Sequence, residues 1–103
     1  MGRDLIDLRL LYHSKVVKED IPRLDALVRR RIRRAIESKL TRQPEQLAKP
    51  LSFNRSGLWS LRVGDWRVVF AMRDEELWIL RIGHRSEIYK ALDREIPQGP
   101  EPR

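Results

Sequence analysis

The chain has 103 residues, enough for one domain and too few for two. Its 22 Lys and Arg against 15 Asp and Glu give a net charge of +7, and 17 of the cations are arginine. No cysteine is present and no run approaches the ~20 apolar residues of a membrane span, so disulfide and thiolate chemistry and a spanning helix are excluded. A secretory leader is not expected, because Met1-Gly2-Arg3-Asp4 lacks an apolar core, and the expectation is a cytoplasmic protein with no membrane contact. Arginine in such excess favours phosphate-bearing partners, because its planar fork grips two oxygens at once.

In chain order, residues 7–13 (Asp-Leu-Arg-Leu-Leu-Tyr-His) are short and apolar and predict a strand. Ser14 N-caps a brief helix with Val16 and Val17 facing inward, and Ile21-Pro22 interrupts it by pushing Asp20 and Ile21 toward an extended or turn conformation. Leu24, Leu27, Val28, Ile32, Ala35, Ile36 and Leu40 then recur at spacings of three and four, one apolar stripe of a longer helix. Arg29, Arg30, Arg31, Arg33 and Arg34 fill its flanks, and Thr41 to Pro44 end it. Residues 41–57 read as a loop punctuated by Pro44, Pro50, Asn54 and Gly57, with Lys49 as a solvated or RNA-touching cation.

Three strands follow, Leu58–Val63, Trp66–Met72 and Leu77–His84. Gly64-Asp65 is a two-residue link of the kind that hairpins favour, and Arg73 to Glu76 supply a second polar turn. A helical turn near Glu87–Leu92 precedes a proline-rich tail. The fold class is therefore α+β: a small antiparallel sheet packed by two N-terminal helices, with residues 1–92 as the domain and 93–103 as a flexible tail.

Alternation sorts the strands into faces. Trp59, Leu61 and Val63, then Trp66, Val68, Phe70 and Met72, then Trp78, Leu80 and Ile82 go toward the helices, which makes the three tryptophans core or its rim. Ser60, Arg62, Arg67, Arg81 and Arg85 go to the other face. Four arginines on one sheet face are not packing residues, because unpaired charge is costly to bury. Either they bind an anion, or Asp65, Glu75 and Glu87 neutralise some of them across strands.

At this point the chain resembles the RelE/ParE toxin superfamily of bacterial toxin–antitoxin pairs. The resemblance runs from Leu8 to Tyr89. It is carried in order by Lys18-Glu19-Asp20-Ile21-Pro22, the Arg31–Leu40 helix, Lys49-Pro50-Leu51, Gly57-Leu58-Trp59, Leu61 to Phe70, and Ile82-Gly83-His84-Arg85-Ser86-Glu87-Ile88-Tyr89. It implies a curved antiparallel sheet with two N-terminal helices. It also implies a ribosome-dependent endoribonuclease that needs no metal or cofactor and cuts mRNA in the decoding site through attack of the 2′-hydroxyl. An acidic, RelB-like antitoxin would hold it inactive, with operator DNA met only through that complex.

By position, the resemblance assigns Arg62 and Arg67 to stabilising the phosphate, Arg85 to the leaving group and Tyr89 to the base. Arginine keeps its proton, so Arg85 suits electrostatic stabilisation better than proton donation. Tyr89 requires its phenol pKa lowered by the arginines. His84 is the side chain tuned near neutral pH, and His13 reads as structural. Ser60 departs from the pattern, standing where the RNA-cleaving members hold lysine, and Arg81 is the cation available to compensate. Two further readings remain open: a ParE-type toxin that inhibits DNA gyrase by protein contact, and a degenerate member that only binds antitoxin.

Overall fold

The computed structural model describes residues 8–40, 49–50 and 57–88. Strand β1 is Arg9–Tyr12, and it is followed by a wide π-type turn at Val16–Asp20 leading into helix α1, Ile21–Arg23. Helix α2 is Ala26–Ala35, continued by a second π-type turn at Ile36–Leu40. The strands β2 (Lys49–Pro50), β3 (Leu58–Val63), β4 (Trp66–Arg73) and β5 (Glu76–His84) complete one sheet in the order β1-β5-β4-β3-β2.

The α+β reading holds, with two corrections to the sheet. The pairs β2–β3, β3–β4 and β4–β5 are antiparallel, but β1 lies parallel to β5, with Tyr12 beside Ile79, so the sheet is mixed. Local alternation carries no information on this, because the direction of a pairing between chain ends is set by how the intervening helices return the chain. A short strand, β2, also stands on the edge where a loop was expected, opposing Lys49 to Ser60 and Pro50 to Trp59.

The helical segments differ from expectation in phase. Asp20 (φ −75°, ψ −50°) and Ile21 (φ −62°, ψ −43°) are helical, and the extended residue is Leu24 (φ −84°, ψ 137°). Pro22 comes just after the π-type turn, and the helical run ends two residues later at Leu24. Asp25 then caps α2, its Oδ1 accepting from the Val28 N–H at 2.9 Å. Val16 is buried while Val17 is 53% exposed, and Leu27, placed in the stripe by its spacing, is 67% exposed. The buried stripe is Leu24, Ile32, Ile36 and Leu40; at about 100° per residue Leu27 stands about 140° round α2 from Ile32, so it lies off the stripe before the π-type turn begins.

These helix residues meet Leu61, Val68, Phe70, Leu77, Ile79 and Ile82 in the main core, with Trp59, Val63 and Trp66 packed at its margin. Trp59 stacks on Phe70, its cross-strand partner, with centroids 6.5 Å apart. A bulge corrects the faces of β5: Phe70 pairs with Ile79 and Val69 with Arg81, so Leu80 is the extra residue. As a result Leu77 and Ile79 face the helices, and Leu80 joins Leu58, Ala71 and Trp78 in a second, smaller cluster. Trp59 and Trp66 are thus rim of the main core as expected, whereas Trp78 is not part of it. No helix among the described residues is long and apolar enough to cross a membrane.

Candidate functional site

The β3–β4 hairpin brings two of the expected arginines together. Gly64 takes φ +61° and Asp65 does not take a positive φ, the pattern of a II′ turn, which fixes the register of the two strands. Arg62 then stands directly across from Arg67. Like charges opposed in this way destabilise a sheet, so the pair is not there for packing. Arg62 is exposed and its side chain has no hydrogen-bond or ion-pair partner among the described residues. Arg67 is half-buried, and its Nη1 donates to the carbonyls of Gly64 at 3.0 Å and Trp66 at 2.9 Å. Those contacts hold one nitrogen and leave the rest of the guanidinium fork for a ligand.

Arg85 reaches the same end of the sheet. Its backbone N–H donates to the Asp65 carbonyl at 2.8 Å, tying the chain after β5 to the hairpin turn. Its Nε lies 3.7 Å from Asp65 Oδ1, with both side chains more than half exposed, so that ion pair is weak and readily exchanged for an anion. Asp65 is therefore one of the neutralising acids weighed from the sequence, but a loose one. Arg62, Arg67 and Arg85 gather around one turn.

His84 pairs with Trp66 across β4 and β5 and meets its ring edge-on, centroids 5.3 Å apart at 84°. Its Nδ1 accepts from the Ser86 N–H at 3.2 Å and lies 2.9 Å from Ser86 Oγ. An occupied Nδ1 lone pair puts the proton of the neutral ring on Nε2. His84 thus shares the end of the sheet with the arginines but extends from the face that carries Trp66. His13 is structural in position: its Nδ1 accepts from Lys15 N–H at 3.1 Å and its carbonyl accepts from Val16 N–H at 3.0 Å, starting the first helical segment.

Arg81 does not join the group. It is 6% exposed, its Nε donates to Asp20 Oδ2 at 3.0 Å and its Nη2 to Asp20 Oδ1 at 2.9 Å. The expectation that it makes up for Ser60 on the open face is overturned by that buried pair. Sequence reasoning could not find Asp20 as the partner, since 61 residues separate the two and no local pattern links them. Ser60 is half-buried, opposed to Val69 on one side and to Lys49 on the other. Tyr89 lies outside the described residues. The other tyrosine, Tyr12, is a poor base: burial raises its phenol pKa above 10.0, Glu37 adds to the rise, and Arg33 offsets part of it.

A mixed sheet under a helical pair, with a basic end, defines the class, and the sequence profile of the ParE toxin of type II toxin–antitoxin systems (parDE) matches residues 9–89. The chain belongs to that family, within the RelE/ParE superfamily. Among characterised relatives, Toxin RelG of Mycobacterium tuberculosis is 38% identical over 53 residues, and Toxin RelE of the same organism is 42% identical over 53. Each match takes in 50% of this chain, but only 61% and 55% of those relatives' own lengths. Among solved structures, the RelBE2 toxin–antitoxin complex of M. tuberculosis superposes with a TM-score of 0.72 at 23% identity, covering 78% of this chain and 100% of that one. The RelE–RelB complex of Pyrococcus horikoshii gives 0.57 at 25% identity, covering 78% and 97%.

Proposed function

We propose that the chain is the toxin of a type II pair and cleaves mRNA on the ribosome without a metal. The observation that supports this most directly is the grouping of Arg62, Arg67 and Arg85 around the Gly64–Asp65 turn, with Arg62 unpartnered among the described residues. In the reaction the substrate's 2′-oxygen forms a bond to the adjacent phosphorus as the bond to the 5′-oxygen breaks. The 2′ proton goes to a base and the 5′-oxygen takes up a proton. Charge builds on the non-bridging oxygens, where bidentate arginines act most strongly. Arg85, placed beside the hairpin turn, stabilises the charge on the leaving 5′-oxygen, which takes its proton from water. Tyr89 is assigned as base by resemblance alone.

The partner in this reading is an acidic antitoxin. A groove of about 490 Å³ between α2 and the end of β3 has Leu27, Ala35 and Val63 among its lining and Arg30, Arg31 and Arg34 at its sides, which suits an apolar segment bearing carboxylates. Relatives whose structures were solved as RelB–RelE complexes support the same partner class.

A second reading, gyrase inhibition by protein contact, is favoured by the match to a ParE profile and by Ser60, where the RNA-cleaving members hold lysine, with Arg81 buried against Asp20 instead of compensating. One experiment separates them. Purified protein is added to translating ribosomes and mRNA ends are mapped by primer extension, with gyrase supercoiling measured in parallel. Codon-phased cuts that vanish in Arg85→Ala, with supercoiling untouched, are expected. Intact mRNA with blocked supercoiling would overturn the nuclease.

A further inference from the structure

We propose that Asp20 is a positioning residue for the arginine end of the sheet, acting through β5 rather than on substrate; this rests on the nuclease reading above. The need for such a residue follows from the sheet's shape. Strand β1 stops at Tyr12, opposite Ile79, and His13 N–H adds one last bond to the Ile79 carbonyl at 2.9 Å. Beyond it, no strand among the described residues pairs with the outer edge of β5. The bulge at Leu80 sits at this same point, where a strand bends and its pairing weakens. Residues 82–84 are thus paired with β4 on one side only, and Arg85 bonds just beyond them to the hairpin turn.

Asp20 replaces the missing neighbour. Its Oδ2 accepts the Ile82 backbone N–H at 2.8 Å, the rung that a continued β1 would have filled. The same oxygen takes Arg81 Nε at 3.0 Å and Oδ1 takes Arg81 Nη2 at 2.9 Å, a bidentate fork. The side chains are 2% and 7% exposed, so water does not compete. Arg81 also turns out of the open face because of this pair, which keeps its charge away from the Arg62–Arg67 pair. Downstream, Gly83 lies across from Arg67, Ile88 packs so closely over Gly83 that a Cβ there would sit 2.9 Å from its Cδ1, and Arg85 N–H closes onto Asp65. Each of these contacts depends on the path that β5 takes after Arg81.

The test uses the full chain carrying Asp20→Asn, which keeps an acceptor for Ile82 but loses the charge that Arg81 needs, and the double variant Asp20→Asn/Arg81→Gln, which restores a neutral amide pair. Three quantities are read below each variant's melting temperature: ribosome affinity, single-turnover cleavage rate, and amide hydrogen exchange. Asp20→Asn is expected to bind ribosomes within about twofold of the parent and to cleave at least about tenfold more slowly. The Ile82, His84 and Arg85 amides should exchange at least about tenfold faster, with the Leu61 and Val68 amides unchanged. The double variant should recover cleavage to within about threefold. If Asp20→Asn does not fold, Arg81→Lys, which keeps the charge but not the fork, serves the same comparison.

Parent-like cleavage in either single variant overturns the proposal, including when exchange at residues 82–85 has risen, since the pair would then serve stability alone. A parent protein that cuts no mRNA refutes the nuclease reading instead. The positioning claim is then decided by exchange at residues 82–85 together with affinity for a short 2′-deoxy oligonucleotide. An Asp20→Asn protein that matches the parent in either would refute it.

Discussion

Replacing Arg62 by glutamine should move stability and activity in opposite directions. Arg62 and Arg67 face each other across β3 and β4, two positions from the Gly64–Asp65 turn. A two-residue hairpin makes Val63 and Trp66 the bonded pair that closes the turn, so Arg62 and Arg67 form a non-bonded pair, the closer kind. Opposed like charges there cost about 0.2–1 kcal/mol. Arg62 has no partner to lose among the described residues, and glutamine keeps most of its length. The variant should therefore melt roughly 1–8 °C higher in low salt, at about 4–8 °C per kcal/mol for a domain of this size. The gain should shrink toward zero at about 1 M salt, where the screening length falls to ~3 Å. Removing a charge-assisted bond to phosphate costs about 1.5–3 kcal/mol, so single-turnover cleavage should fall about 10- to 150-fold. Thermal melts at two salt concentrations and a ribosome cleavage time course measure both arms. A variant that is less stable and cleaves normally would refute the reasoning, because Arg62 would then be a structural cation.

Other outcomes follow from the core and the turns. Ile79→Ala should cost about 2–5 kcal/mol in denaturant unfolding, while Leu27→Ala, at a residue 67% exposed, should stay within about 0.5 kcal/mol; equal costs would contradict the observed helix phase. Gly64→Ala should lose about 1–2 kcal/mol from its φ of +61° alone, because the added Cβ meets Arg31 Nη2 at an ordinary 3.4 Å. The raised Tyr12 phenol predicts a loss of stability at alkaline pH. Above 10.0 the unfolded chain releases the Tyr12 proton first and so binds fewer protons than the folded one; stability is full below that pH and is lost as pH rises toward the folded value. Denaturant midpoints between about pH 8 and about pH 11 should fall less steeply in Tyr12→Phe than in the parent, and identical slopes would exclude the effect.

The sequence determined what short-range periodicity can express. Leu58–Val63 and Trp66–Arg73 alternate cleanly around Gly64-Asp65, so the hairpin, its register and the opposition of Arg62 to Arg67 were all legible, because the backbone of a two-residue turn leaves one way to pair its flanks. The α+β class and the basic hairpin end were legible for the same reason, whereas the middle of that face, with Leu58, Val69, Ala71 and Leu80, is buried rather than open. What the tertiary structure alone decided lies where one contact joins distant segments. The parallel seating of β1 on β5, the seating of α2 that buries Ile32 and leaves Leu27 outside, and the bulge that sends Leu80 and Trp78 to the far cluster are set by packing between elements. Arg81 shows the difference most clearly. Alternation counted it with the arginines of the open face, but a carboxylate 61 residues earlier in the chain takes it into the interior. Periodicity reports which way a side chain points along its own strand, whereas a buried charge goes wherever the fold provides its counter-charge.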